Sequence, residues 1–164
     1  RSVDSLKRVV ITTGTFKTDS SALNVIANNV ELEGSVRSLD EDMRDLVQKR
    51  LCEVAEGTAA ANQCEIKIEY ERGYPITDNN DAATQHAIAV ASAVSEVDKD
   101  TPPIMPSEDF SYMLIEKPGA FIFLGNGDSQ MLHHPEYIFD DEAIPFGSSW
   151  YAGMVEERLR MNLK

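Results

Sequence analysis

The hydrophobic period of this chain changes twice within its first half, and those changes restrict the available folds more than any single motif does. Val30, Leu32, Gly34 and Val36 alternate with Glu31, Glu33, Ser35 and Arg37. A period of two turns one row toward a core and the other toward water, which predicts a half-buried strand. The spacing then lengthens: Met43, Leu46, Val47, Leu51, Val54, Ala55 and Thr58 recur at three- and four-residue steps. That is the pattern of an amphipathic helix of about five turns, for which Ser38 and Glu41 have capping-box spacing, with Gly57 and Asn62 weakening its end. Cys64, Ile66, Ile68 and Tyr70 return to alternation, against Glu65, Lys67, Glu69 and Glu71. With the β-branched run Arg8–Phe16 in front, residues 1–72 are expected to form a β-β-α-β unit.

Residues 73–80 (GYPITDNN) concentrate Gly, Pro, Asp and Asn and mark a linker. Residues 81–164 then form a second segment. Asp81–Val97 is alanine-rich and helical in pattern, and three prolines within Thr101–Pro106 forbid regular helix there. Ser107–Ile115 has the look of a short helix capped by Ser107. Ala120–Leu124 is an apolar run closed by Gly125-Asn126-Gly127, as expected of a buried strand and a tight turn. A last helix, capped by Asp140 or Asp141 and with Pro145 in its permissive first turn, runs through Trp150, Met154, Val155 and Leu159 to the C-terminus.

Charge and residue counts exclude several function classes. Lys and Arg number 15 against 28 Asp and Glu, a net charge of −13. Such a surface repels phosphate backbones, and no basic block offsets it, so nucleic acid is not an expected partner. The longest apolar stretches, Ala87–Val94 and Ala120–Leu124, fall far short of the ~20 residues that span a bilayer, and no charged-then-apolar leader opens the sequence. The expectation is a cytoplasmic chain without a membrane partner. Cys52 and Cys64 are too few for a disulfide framework and suit small apolar roles on the helix and the third strand. His86, His133 and His134 are the three histidines. A multi-metal centre built wholly from them would lack ligands.

Four places could carry chemistry, each with a plainer alternative. Leu132-His133-His134-Pro135 lies in the loop before the last helix, where one imidazole could bind a metal, and where two solvated loop histidines are the simpler reading. Neighbouring residues of an extended segment point to opposite sides, so one ring at most faces a given site. Arg37 on the polar strand face and Asn24 in the turn before it could bind a carboxylate, a guanidinium fork beside an amide donor; an exposed ion-pair face with Glu31 and Glu33 is the plainer alternative. Ser107-Glu108-Asp109-Phe110 offers adjacent acids for acid/base work, or the ordinary chemistry of a helix start. His86, inside the Ala-rich helix, is read as a partly buried structural residue.

Five segments in order widen this reading: Asn24-Val25-Ile26, Glu33-Gly34-Ser35-Val36-Arg37, Ser107-Glu108-Asp109-Phe110-Ser111, Pro118 through Gly127, and Leu132-His133-His134-Pro135-Glu136-Tyr137. Together they resemble the C-terminal part of the aminoacylase/hippurate hydrolase superfamily, the di-metal amidohydrolases and peptidases that include indole-acetyl-amino-acid hydrolases. The resemblance implies an α/β fold in two parts: residues 1–72 as part of a ferredoxin-like lid, or dimerisation, domain, and residues 81–164 as the C-terminal part of a zinc-peptidase-like catalytic domain.

By the same resemblance His133 matches the last metal ligand, with His134 at a position usually held by Asn, and Asn24 and Arg37 match lid residues that bind the substrate carboxylate, often across a dimer. Ala27 stands where a proline is common and Pro106 where a glycine is. The family's other ligands, its general-base glutamate in a Glu-Glu pair and its lid histidine have no counterpart in this chain. The expectation is therefore a fragment of a metal-dependent amidohydrolase acting on N-acyl amino acids or related amides. The complete enzyme would carry two divalent ions, zinc or manganese/cobalt, and this chain none or weakly held ones. Alone it is expected to be inactive and to associate through the lid, as a homodimer or with the missing N-terminal portion where that is expressed separately. The alternative is a non-catalytic oligomerisation or interaction module left from a truncated gene.

Overall fold

A computed structural model describes residues 6–162, which form two compact units: residues 6–76 with 104–107, and residues 77–103 with 108–162. Among the described residues there are one two-stranded sheet and four helices, an α/β composition. No helix of the described residues is long and apolar enough to cross a membrane.

The first unit is built on an antiparallel hairpin, β1 (Val9–Thr18) and β2 (Val30–Ser38). Ile11 stands opposite Val36 and Phe16 opposite Leu32, because the register slips between Thr13 and Thr15 and leaves Gly14 out of the ladder. Ile11 and Phe16 are an odd number of residues apart, so an unbroken strand would send them to opposite faces; the bulge returns both to the apolar face. A Cβ on Gly34 would fall on the Thr12 carbonyl, so the strands approach there only through glycine. On the polar face Lys17 Nζ meets Glu31 Oε2 at 2.8 Å.

The period-3.6 run forms helix α1 (Glu41–Ala61), with Val47 buried beneath it. Its cap is not Ser38. The Asp40 carboxylate accepts from Met43 N at 3.0 Å, while the Ser38 hydroxyl, at the end of β2, accepts from Asp40 N at 3.2 Å. Ser38 is held by the sheet, which leaves capping to the first oxygen beyond it. At the other end Gln63 adopts a left-handed φ of 56°. Cys64 N then donates to Ala59 O at 2.9 Å and Gln63 N to Ala60 O at 3.3 Å, the two bonds of a Schellman close made without the usual glycine.

The expected third strand is not formed, so the order is β-β-α in place of β-β-α-β. Cys64–Tyr70 joins no ladder among the described residues, and Cys64 is exposed instead of facing a core. Alternation expresses a preference for a pleated surface, but a strand also needs a neighbour whose N–H and C=O groups complete it. Side chains tie the segment beyond Tyr70 to α1: Arg44 Nη2 donates to Gly73 O at 3.1 Å, Arg72 Nη2 meets Asp45 Oδ1 at 2.5 Å, and Glu41 Oε1 accepts Ile76 N at 3.2 Å.

In the second unit α2 (Asp81–Ser92) is capped by Asn80, whose Oδ1 accepts Ala83 N at 3.1 Å. It ends short of Val97 in a turn in which Val94 N and Ser95 N both reach Ala91 O. Helix α3 (Phe110–Glu116) is not capped by Ser107, which belongs to the first unit; the Glu108 carboxylate takes Phe110 N at 3.2 Å, and the Glu108 carbonyl takes the Oγ of fully buried Ser111 at 2.6 Å. Ala120–Leu124 joins no ladder either, and it is not buried: Ile122, Phe123 and Leu124 are exposed. Its polar groups are met by a side chain: Asn79 Nδ2 donates to Phe121 O at 2.9 Å, and Phe121 N donates to Asn79 Oδ1 at 2.7 Å. Helix α4 (Ala143–Asn162) begins where Ala143 N reaches Asp140 O at 3.0 Å and Asp140 Oδ1 takes Glu142 N; the expected run to the C-terminus lies, for residues 163–164, outside the described residues. α4 packs on α2 through Trp150 Nε1, which donates to Ala87 O at 3.2 Å, and through Gly153, where a Cβ would come within 2.8 Å of Val90 Cγ1. His86, mostly buried, places Nδ1 3.4 Å from Glu157 Oε2.

Candidate functional site

The histidine pair sits on two consecutive turns of the second unit. His134 N donates to Met131 O at 3.1 Å, closing a turn whose third residue, His133, has φ 69°. Tyr137 N then donates to His134 O at 3.0 Å around Pro135, the residue that suits the second place of a turn. Histidine is among the few side chains that tolerate a left-handed φ. The consequence is a division of labour. Glu136 N donates to His134 Nδ1 at 3.1 Å, so that nitrogen is an acceptor and the neutral ring carries its proton on Nε2. His133 is exposed and makes no hydrogen bond to the described residues.

The loop that carries the pair is stitched at its base. Asn126 Oδ1 accepts Asp140 N at 2.8 Å, and Asn126 Nδ2 donates to Ile138 O at 2.7 Å. Ser129 Oγ adds a second stitch, donating to Ile138 O at 3.0 Å and accepting Ile138 N at 3.2 Å. Gly125-Asn126-Gly127 is thus more than the tight turn its composition suggests; an Asn flanked by glycines, a short loop ahead of a helix start, is the sequence signal of the latch.

A metal centre needs several ligands, and among the described residues no three His, Cys, Asp or Glu side chains gather to hold an ion. His133 fits one place in a ligand set as a free imidazole. The described residues do not fill the remaining places.

Arg37 and Asn24, the two residues expected to bind a carboxylate, lie in the first unit. Arg37 is exposed, and its Nη1 donates to Met105 O at 2.6 Å, tying the Ile104–Ser107 segment to β2. It makes no ion pair with Glu31 or Glu33; Glu31 is taken by Lys17, which favours a guanidinium with free donors over the ion-pair face. Asn24 is exposed in the connection between the strands. That connection is closed by Asp19, whose carboxylate accepts Asn28 N at 3.0 Å, Asn29 N at 3.1 Å and Asn29 Nδ2 at 2.8 Å. The hydrogen bond from the Asn29 amide, before the backbone donors, holds the Asp19 carboxyl below its ordinary range. The structure does not bring Asn24 and Arg37 together within one chain. Asn24 belongs to the Thr18–Val30 end of the hairpin and Arg37 to the Ser38 end, about 23 Å away along the strand at ~3.3 Å per residue. Glu108 and Asp109 serve the start of α3 and are not paired for acid/base work.

The chain belongs to peptidase family M20/M25/M40, whose model matches residues 3–157. It is 36% identical over 151 residues to an N-acetyldiaminopimelate deacetylase of Streptococcus thermophilus, covering 91% of this chain and 40% of that protein. It is 32% identical over 163 residues to a hippurate hydrolase of Campylobacter jejuni, covering 98% of this chain and 42% of the relative. Among solved structures it resembles a dinuclear metal-binding peptidase of the M20 family from Bacillus subtilis, with a TM-score of 0.76 and 26% identity over 89% of this chain and 41% of the other. The chain therefore spans about 40% of the length of the relatives it matches.

Proposed function

We propose that this chain is the C-terminal part of a metal-dependent amidohydrolase that cleaves N-acyl amino acids or related amides. The observation that carries the reading is the division between the two histidines: His134 is occupied by the Glu136 amide and His133 is left free. That is the arrangement a single ligand on a preformed loop requires, since a ligating ring must be neutral and unengaged at one nitrogen. In the complete enzyme His133 holds one of two divalent ions, which when bound supply an activated water. Residues 1–72 act as part of the lid and residues 81–164 as the returning part of the catalytic domain, joined by 73–80.

Arg37 binds the substrate carboxylate with the guanidinium nitrogens left over from its bond to Met105. Asn24 contributes an amide donor to the same group from a second copy of the chain, because the hairpin separates the two residues within one copy. The apolar hairpin face, with Phe16 69% and Leu32 61% exposed, supports association of lids. With one ligand and no general base of its own, the chain alone does not turn over.

The test compares this chain with the product of the complete gene, each supplied with hippurate and N-acetyldiaminopimelate in Zn²⁺, Mn²⁺ or Co²⁺. Metal-dependent hydrolysis by the complete protein and none by the chain is expected. Enzyme-like turnover by the chain alone, or a complete protein inert on every acyl amino acid, would overturn the reading.

A further inference from the structure

We propose that Asn126-Gly127 is a self-modification site gated by the fold, at which deamidation of Asn126 unlatches the loop that presents His133. This goes beyond the amidohydrolase reading and does not depend on a metal. Asn126-Gly127 is the one Asn-Gly pair in the sequence. In that pair no side chain on the second residue shields its amide nitrogen. After loss of its proton to base, the Gly127 nitrogen adds to the Asn126 side-chain carbon; the bond to Nδ2 breaks and ammonia leaves, giving a five-membered imide. Water then opens the imide at either carbonyl, so the net change is Asn plus water to Asp or isoaspartate plus ammonia.

The structure sets when that chemistry proceeds. Both ends of the Asn126 carboxamide are bonded, Oδ1 to Asp140 N at 2.8 Å and Nδ2 to Ile138 O at 2.7 Å. Swinging the carboxamide onto the Gly127 nitrogen breaks both bonds, so the reaction draws on the opened loop and not on the closed one. The structure also sets the outcome. An aspartate at 126 still accepts from Asp140 N but has no donor for Ile138 O, and two oxygens then face each other where a hydrogen bond stood. The Asn126 side chain already lies 2.8 Å from Asp140 N, so the new carboxylate also stands beside the residue that carries an existing one. Isoaspartate adds a methylene to the backbone between Asn126 and the stitches of Ser129.

The experiment ages the purified chain at mildly alkaline pH in native buffer and in urea, and tracks deamidation of the peptide containing Asn126 by mass spectrometry. The native chain is expected to convert at least roughly tenfold more slowly than the unfolded one, from the two hydrogen bonds that must open. Ser129→Ala, which removes the second stitch, is expected to speed conversion in native buffer. Asn126→Asp, the product made by mutation, is expected to raise amide hydrogen exchange at Ile138 by roughly tenfold while helix α2 exchanges at its original rate. Equal rates in buffer and urea, no acceleration in Ser129→Ala, or unchanged exchange at Ile138 in Asn126→Asp would overturn the proposal.

Discussion

The side chain of Asn79 pairs with the peptide of Phe121 as a strand would, donating to its carbonyl at 2.9 Å and accepting its N–H at 2.7 Å. One residue on, Asn80 N donates to Gly119 O at 3.0 Å. An apolar segment without a ladder partner is thereby satisfied at Phe121, which is half-buried while Ile122, Phe123 and Leu124 beyond it are exposed. Replacing Asn79 by Ala strands a donor and an acceptor together, each costing ~1–3 kcal/mol when unsatisfied. The expected outcome is a fall of about 2 kcal/mol in unfolding free energy by urea titration, with no change in the m-value.

Gly153 lies where α4 meets α2, and Val90 is buried and β-branched, with no flexible end to yield. Gly153→Val is expected to destabilise the second unit by about 1–3 kcal/mol, as overpacking of a close contact does. A melt monitored by Trp150 fluorescence reports it directly, because the indole nitrogen bonds Ala87 O at the same helix pair.

Gln63 closes α1 at φ 56°, a conformation that glycine adopts without penalty. Gln63→Gly is expected to raise stability by about 0.5–1 kcal/mol, the relief of left-handed strain offset in part by glycine's larger unfolded-state entropy. Gln63→Val, β-branched at the same φ, is expected to lower it in the same denaturant titration.

Asp19 and Asp40 both titrate below the ordinary carboxylate range, Asp19 through the Asn29 amide and Asp40 through its hydrogen bond from Lys7 and then from Met43 N. A carboxyl whose folded pKa is depressed contributes stability above its unfolded pKa and loses that contribution as pH falls through the folded pKa. The first unit is therefore expected to weaken as the pH drops below about 4. Asp19→Asn and Asp40→Asn should each flatten that dependence when melting is measured across acid pH.

Much of this organisation is legible from local pattern, and the rest is not, for reasons that differ by residue. Helix α1 is readable because seven residues repeat its period. Its cap is not, because Ser38 and Asp40 are both good capping residues, and only the pairing of β2 shows that Ser38 is already committed to the sheet. The strand expected at Cys64–Tyr70 fails for a related reason: alternation is written locally, but a ladder partner is not. In the site, two adjacent histidines are visible at once. Which ring is free depends on the positive φ of His133 and the Glu136 amide, neither of which leaves a period in the sequence. The bond from Arg37 to Met105 spans two distant segments and has no local signature at all.

The central claim is that His133, and not His134, is the metal ligand of an M20-family amidohydrolase. Metal content by elemental analysis in the complete protein, for His133→Ala and His134→Ala side by side, tests it most directly. Loss of bound metal in His133→Ala with retention in His134→Ala is the predicted result. Full metal content in His133→Ala, or its loss only in His134→Ala, would contradict the assignment.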